Sequence, residues 1–279
     1  MSEPLRVLII GAGTKGALYP EERLTHAHAF SRNGFELLGF YDTNFSNASK
    51  AANRWNTRYS WNGLDEAFDN NPDVVTVAVS DESHFSTLLS IAQYKPKLVF
   101  TEKPFCQNLK EAKTIANLYK ELGIELSVNF TRRFLPKYQN LKVDPDKFIS
   151  GHGWITKGLH NLCHLADLAV MLNIREMACS EIKRSSLNVF EADLFYEDQK
   201  ISFLDHGSKI FIIPTNPRSD YQQDTVLNYG HGRAMFVDLS SAMELAARNI
   251  REHLLHGEPL ISTVENALRV MEVCDQWQH

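Results

Sequence analysis

Lys103 is the residue best placed to do chemistry. It lies in Thr101-Glu102-Lys103-Pro104, directly after the run Lys97-Leu98-Val99-Phe100, whose apolar residues predict a buried strand. A lysine at the exit of a strand in a nucleotide-binding sheet sits where cofactor and substrate can meet. There an ammonium can hydrogen-bond a substrate oxygen and stabilise developing alkoxide charge. Elsewhere a strand-end lysine is usually a solvated charge, so the case rests on what surrounds it. Gly11-Ala12-Gly13-Thr14-Lys15-Gly16 has the G-x-G-x-x-G spacing, with a predicted strand before it and a helix after it. Its glycines let the backbone approach a pyrophosphate, and the following amides can bind it. Asp42, at the end of the predicted second strand, can accept hydrogen bonds from the adenosine ribose hydroxyls. Its charge repels a 2′-phosphate and no Arg follows it, so the expected cofactor is NAD, with NADP less favoured.

The elements that must position these groups alternate. Strands are expected at 5–10, 35–41, 74–79, 98–101 and 125–130. Helices are expected at 26–32, 46–55, 84–93 and 108–122. Thr25 and Asn108 are the expected N-caps. Ala112, Ile115, Ala116 and Tyr119 recur at three- and four-residue spacing and mark the buried face of their helix. Strand–helix alternation with short connections predicts a doubly wound parallel sheet of Rossmann type. After about residue 131 the pattern changes. A helix at 159–172 precedes strand-like runs at 181–188, 191–196, 201–204 and 209–213, and helices near 240–256 and 263–277 follow. The expected organisation is therefore a dinucleotide-binding domain over 1–130 and a C-terminal α+β domain with a mainly antiparallel sheet over 131–279. Residues 17–24, with Pro20, lengthen the connection from the Gly-rich turn to its helix. They read either as a lengthened surface loop or as a flap over the cofactor.

Bulk properties exclude several classes. The net charge of −5 comes from interspersed signs, so there is no basic stripe for nucleic acid. The apolar runs are far shorter than the ~20 residues of a membrane helix, and the N-terminus lacks a secretory pattern. Cys106, Cys163, Cys179 and Cys274 are widely spaced without a C-x-x-C pair, which suits a reduced, cytoplasmic setting.

Several motifs, in order, resemble the glucose–fructose oxidoreductase / inositol dehydrogenase / MocA family. They are G-A-G-T-K-G, H-A-H-A-F at 26–30, Asp42, S-D-E-S-H at 80–84, T-E-K-P at 101–104, N-F-T-R-R-F at 129–134, H-L-A-D-L at 164–168 and G-E-P-L-I-S-T-V-E-N-A at 257–267. The resemblance implies a nicotinamide-dependent oxidoreductase acting on a sugar, cyclitol or related polyol or keto compound, and a homodimer or homotetramer. It matches the family's E-K-P lysine to Lys103 and its catalytic histidine to His164. It puts Ser80 and His84 at the border of the cofactor and Glu102 near the nicotinamide ribose. The family usually has an Asp four residues before its histidine; here that position is His160. The Gly-Gly run usually found before this helix is also missing, and the chain is shorter than most relatives.

An imidazole with an unperturbed pKa near ~6.5 suits His164 for giving or taking the hydroxyl proton. His160 lies one turn away on the same face and can relay a proton or bind a substrate anion. Arg133 is the candidate for anion binding within the pair Arg132–Arg133. His160, His164 and Asp167 also have a spacing that can chelate zinc, but no Glu follows His160, and no metal is assigned. The reading from another class is a non-catalytic, NAD-binding regulator or scaffold on the same fold.

Overall fold

The computed structural model describes residues 3–140, 152–156, 159–171, 178–184, 189–195, 210–214, 223–228 and 233–278. They form two compact units, Met1–Phe134 with Ser241–Leu268, and Leu135–Ser240 with Arg269–His279.

The first unit follows the predicted alternation. Its elements are β1 (Arg6–Ile10), α1 (His26–Arg32), β2 (Glu36–Tyr41), α2 (Phe45–Trp55), β3 (Tyr59–Trp61), α3 (Leu64–Phe68), β4 (Val74–Val77), α4 (His84–Ile91), β5 (Leu98–Thr101), α5 (Leu109–Leu122) and β6 (Glu125–Val128). The six strands are parallel, in the order β3-β2-β1-β4-β5-β6. This is the doubly wound order, with its reversal between β1 and β4. Crossovers that cover a parallel sheet on both faces bury its central strands completely. All residues of β4 and β5 are accordingly buried, the threonines included. The short pair β3 and α3 was not expected from the sequence.

The predicted caps hold their helices. Thr25 Oγ1 accepts from the His28 amide at 3.2 Å, and Asn108 Oδ1 accepts from the Glu111 amide at 2.9 Å. Each such cap satisfies one orphan donor and contributes about 1 kcal/mol. Ala112, Ile115, Ala116 and Tyr119 are the buried face of α5, as their spacing required.

The second unit contains α6 (Pro136–Gln139), β7 (His152–Thr156), α7 (Leu159–Met171), β8 (Ala178–Arg184), β9 (Val189–Phe195), β10 (Ile210–Pro214), β11 (Gln223–Asn228) and β12 (Arg233–Asp238). Strand β9 pairs with β7 and β8, and β11 pairs with β10 and β12, each antiparallel. The predicted strand at 201–204 lies outside the described residues.

Helix α8 (Ala242–His256) belongs to the first unit, and α9 (Val264–Gln278) closes the chain. The first unit therefore takes in a segment beyond the contiguous 1–130 that the alternation outlined. The reason is apolar. Met243, Ala246, Ala247 and Ile250 of α8 share a core with Val7, Phe30, Val74, Leu98 and Phe100. Small residues on α8 allow close approach, and Glu244 Oε1 ties it to His28 Nε2 at 2.9 Å. Among the described residues no helix is long and apolar enough to cross a membrane.

Candidate active site

The Gly-rich turn stands at the carboxyl end of β1, beside the reversal of strand order. Gly11 has φ +87°, and a Cβ there would come within 2.6 Å of the Ala78 carbonyl group, just past β4. A Cβ on Gly16 would come within 1.8 Å of the Gly11 oxygen. These two glycines close the turn onto the protein's own backbone. Gly13 differs, because a Cβ there would meet nothing within 4 Å. Its bare backbone faces open space, where a pyrophosphate can approach. Thr14 is exposed and Lys15 half-buried on the same turn.

Asp42 joins this turn from the end of β2. Its Oδ2 accepts from the Ala12 amide at 2.8 Å and its Oδ1 from the Asn44 amide at 2.8 Å. The carboxylate thus fixes both the Gly-rich turn and the start of α2. Gly11, Gly13, Asp42, Leu64 and Ser80 line one cavity of about 390 Å³. An aspartate carboxylate beside a glycine-walled turn suits an adenosine ribose, so these residues fit an adenine dinucleotide. Ser80 lies at the rim, its hydroxyl 3.1 Å from that of Ser83. Tyr41, Leu64 and the hydroxyl-bearing side of α4 complete the cavity. Sequence reasoning missed them, because Leu64 belongs to the unexpected α3 and serine on a helix face has no distinctive spacing.

The connection over 17–24 is ordered by short-range bonds. Thr14–Leu18 forms one wide helical turn, with the Tyr19 amide donating to the Thr14 carbonyl at 3.1 Å. Trp55 Nε1 donates to the Ala17 carbonyl at 3.0 Å, and Arg54 pairs with Glu22 at 3.0 Å. Both ties run to α2.

Around Lys103 the side chains are buried. Lys103 is 7% exposed and Glu102 8%. Glu102 Oε1 accepts from His26 Nε2 at 3.1 Å and from Asn129 Nδ2 at 2.8 Å. Burial works against its ionisation. The hydrogen bond and charge of His26, then the ammonium groups of Lys15 and Lys103, nevertheless hold its carboxyl well below the usual range. His84 is fully buried at the start of α4, and its Nδ1 donates to the Pro104 carbonyl at 2.7 Å. Burial lowers its pKa below the ordinary 6.5, against smaller opposing effects of the Pro104 carbonyl, Asp81 and Glu102. Neutral His84 is therefore a brace for the turn that carries Lys103. Arg133, 5% exposed, follows β6 in the 3₁₀ turn Thr131–Phe134.

In the second unit, His160 and His164 are half-buried on α7 and Asp167 is 1% exposed. Among the described residues no three His, Cys, Asp or Glu side chains are grouped to hold a metal ion. His26 and Asn129 had no role assigned from the sequence. Each lies far along the chain from Glu102, and only the fold joins them.

A family model described as "Oxidoreductase family, NAD-binding Rossmann fold" (GFO_IDH_MocA) matches residues 5–130. D-glucoside 3-dehydrogenase of Escherichia coli (strain K12) is 27% identical over 156 residues, 56% of this chain and 43% of that protein. scyllo-Inositol 2-dehydrogenase (NAD(+)) of Bacillus subtilis (strain 168) is 26% identical over 143 residues, 51% of this chain and 40% of that protein. The matched segment thus spans less than half the length of either curated relative. The crystal structure of GenD2 from gentamicin A biosynthesis, in complex with NAD, shares the fold. Its TM-score is 0.75 at 16% identity, covering 100% of this chain and 94% of that one.

Proposed function

We propose, on the premise that residues 5–130 make this chain a member of the glucose–fructose oxidoreductase / inositol dehydrogenase / MocA family of NAD-binding oxidoreductases, that it is an NAD-dependent dehydrogenase or ketoreductase. Its substrate is a small sugar, cyclitol or related polyol, or the corresponding keto compound. The names of the two curated relatives, a glucoside and a scyllo-inositol dehydrogenase, support that class.

The observation that carries the reading is the place of Lys103. It is a buried lysine just past β5, next to an ionised Glu102, in the unit whose Gly-rich turn and Asp42 line the nucleotide cavity. Gly11 and Gly16 close the turn, Gly13 admits the pyrophosphate, Asp42 takes the ribose hydroxyls and disfavours a 2′-phosphate, and Ser80 borders the cleft. When bound, the nicotinamide supplies the hydride acceptor or donor.

The chain's own groups do the rest. The Lys103 ammonium hydrogen-bonds the substrate oxygen and stabilises charge as the carbinol C–H bond breaks. The His164 imidazole takes the hydroxyl proton in oxidation and returns one to the carbonyl oxygen in reduction. His160, one turn earlier on α7, relays that proton or binds a substrate anion, and Arg133 is a candidate for binding an anion. The second unit acts as the substrate-binding and self-association domain, with a mainly antiparallel sheet, in a cytoplasmic homodimer or homotetramer.

The test is a panel of polyols, sugars, sugar nucleotides and their keto forms, assayed with NAD or NADH by nicotinamide absorbance. Turnover of at least one compound is expected. Tight NADH binding with no turnover across the panel would instead favour a non-catalytic NAD-binding regulator.

A further inference from the structure

We infer that His26 and Asn129 are positioning residues for the Lys103 centre, holding the Glu102 carboxylate as an oriented anion beside the lysine. The inference rests on the reading of Lys103 as the group that polarises substrate.

Two side chains from distant parts of the chain converge on one oxygen. His26 opens α1 because Thr25 caps that helix, and its ring is fully buried. It packs on Phe100, two residues before Glu102, with ring centroids 5.4 Å apart. Asn129 follows β6, and its amide donates to the Thr101 carbonyl at 2.8 Å, which sets it alongside the end of β5. Its Nδ2 also lies 2.9 Å from Met243 Sδ of α8. The His26 and Asn129 donors both meet Glu102 Oε1. The Glu102 amide donates to the Val77 carbonyl at 2.9 Å, so backbone and carboxylate are both fixed. The side chain keeps 11% of its surface exposed. One carboxylate oxygen is thus committed to the protein, while a small part of the side chain stays exposed.

The titratable groups facing Glu102 are His26, Lys15 and Lys103, with His84 also within electrostatic reach. Two ammonium groups beside a buried carboxylate are stabilised only while it stays ionised. Removing the His26 donor exposes Glu102 to the full effect of burial, so it gains a proton at a higher pH. Lys103 then loses a neighbouring anion. A histidine that merely filled the core would have none of these consequences. An apolar residue of similar size would replace it without altering the protonation of Glu102.

The experiment compares His26→Leu, His26→Gln and Glu102→Gln in the full chain. Infrared titration of the cofactor-free protein follows the Glu102 carboxyl band, assigned by its absence in Glu102→Gln. We expect this carboxyl to protonate at higher pH in His26→Leu and to move back part of the way toward wild type in His26→Gln, which keeps a donor but no charge. With the substrate found by the panel, His26→Leu should lower kcat about 10-fold, the worth of one charge-assisted hydrogen bond, leave KM little changed, and move the acid limb upward. His26→Gln should move all three part of the way back toward wild type. An unshifted carboxyl titration in folded His26→Leu overturns the inference, as does a kcat loss that His26→Gln does not relieve at all. If His26→Leu does not fold, Asn129→Ala removes the other donor to the same oxygen and carries the same expectations. A panel without turnover overturns the activity reading, while a shifted carboxyl titration still upholds the hold of His26 on Glu102.

Discussion

His84 Nδ1 donates to the Pro104 carbonyl at 2.7 Å, so the first residue of α4 braces the turn that carries Lys103. Burial keeps this imidazole below the ordinary value of 6.5 in the folded protein. The unfolded chain therefore binds a proton at a higher pH than the folded one does. The neutral ring contributes stability that is present above pH 6.5 and is lost as the pH falls below it toward the folded value. We expect circular-dichroism melts to show a drop in Tm between about pH 7 and about pH 5 that is smaller in His84→Asn, which cannot titrate.

The three glycines of the turn separate by what lies next to them. An alanine at 16 would drive its Cβ to 1.8 Å from the Gly11 oxygen, and backbone cannot yield easily. Gly16→Ala is expected to lose about 3 kcal/mol or more of stability in denaturant titration. An alanine at 13 meets nothing within 4 Å. Gly13→Ala should stay within about 1 kcal/mol of wild type while NADH binding, followed by fluorescence, weakens at least ~10-fold, because the added methyl enters the space proposed for the pyrophosphate.

On the proposed function, Asp42 sets cofactor choice through its charge. Asp42→Asn keeps an acceptor for the Ala12 amide and removes the anion. Replacing a charged acceptor by a neutral one is worth about 1.4 kcal/mol, so the NADH over NADPH preference should fall about 10-fold in paired fluorescence titrations. An unchanged ratio would remove Asp42 from the specificity of the site.

The sequence carried those parts of the fold that depend on neighbours in the chain. Thr25 and Asn108 announce their helices because a capping side chain reaches only two or three residues ahead. Val74–Val77 and Leu98–Thr101 announce central strands because burial on both faces demands an apolar run. Asp42 is legible because the strand that delivers it ends where its carboxylate must be. What was not legible depends on distance along the chain. The His26–Glu102 bond joins residues 76 apart, and the Glu244–His28 bond joins residues 216 apart. No periodicity encodes either. The return of α8 to the first unit is of the same kind. Its apolar stripe shows that the helix is buried on one side but not which unit buries it. Strand β3 has three residues and α3 has five, too few for a period to be read.

The central claim is that Lys103 polarises the substrate oxygen in hydride transfer. Its most direct test is steady-state turnover of Lys103→Ala, with NADH affinity measured on the same preparation. The account predicts a fall in kcat of at least ~100-fold with the dissociation constant for NADH little changed, the order attributed to one electrostatic stabiliser. Wild-type kcat in Lys103→Ala, with cofactor binding intact, would contradict it.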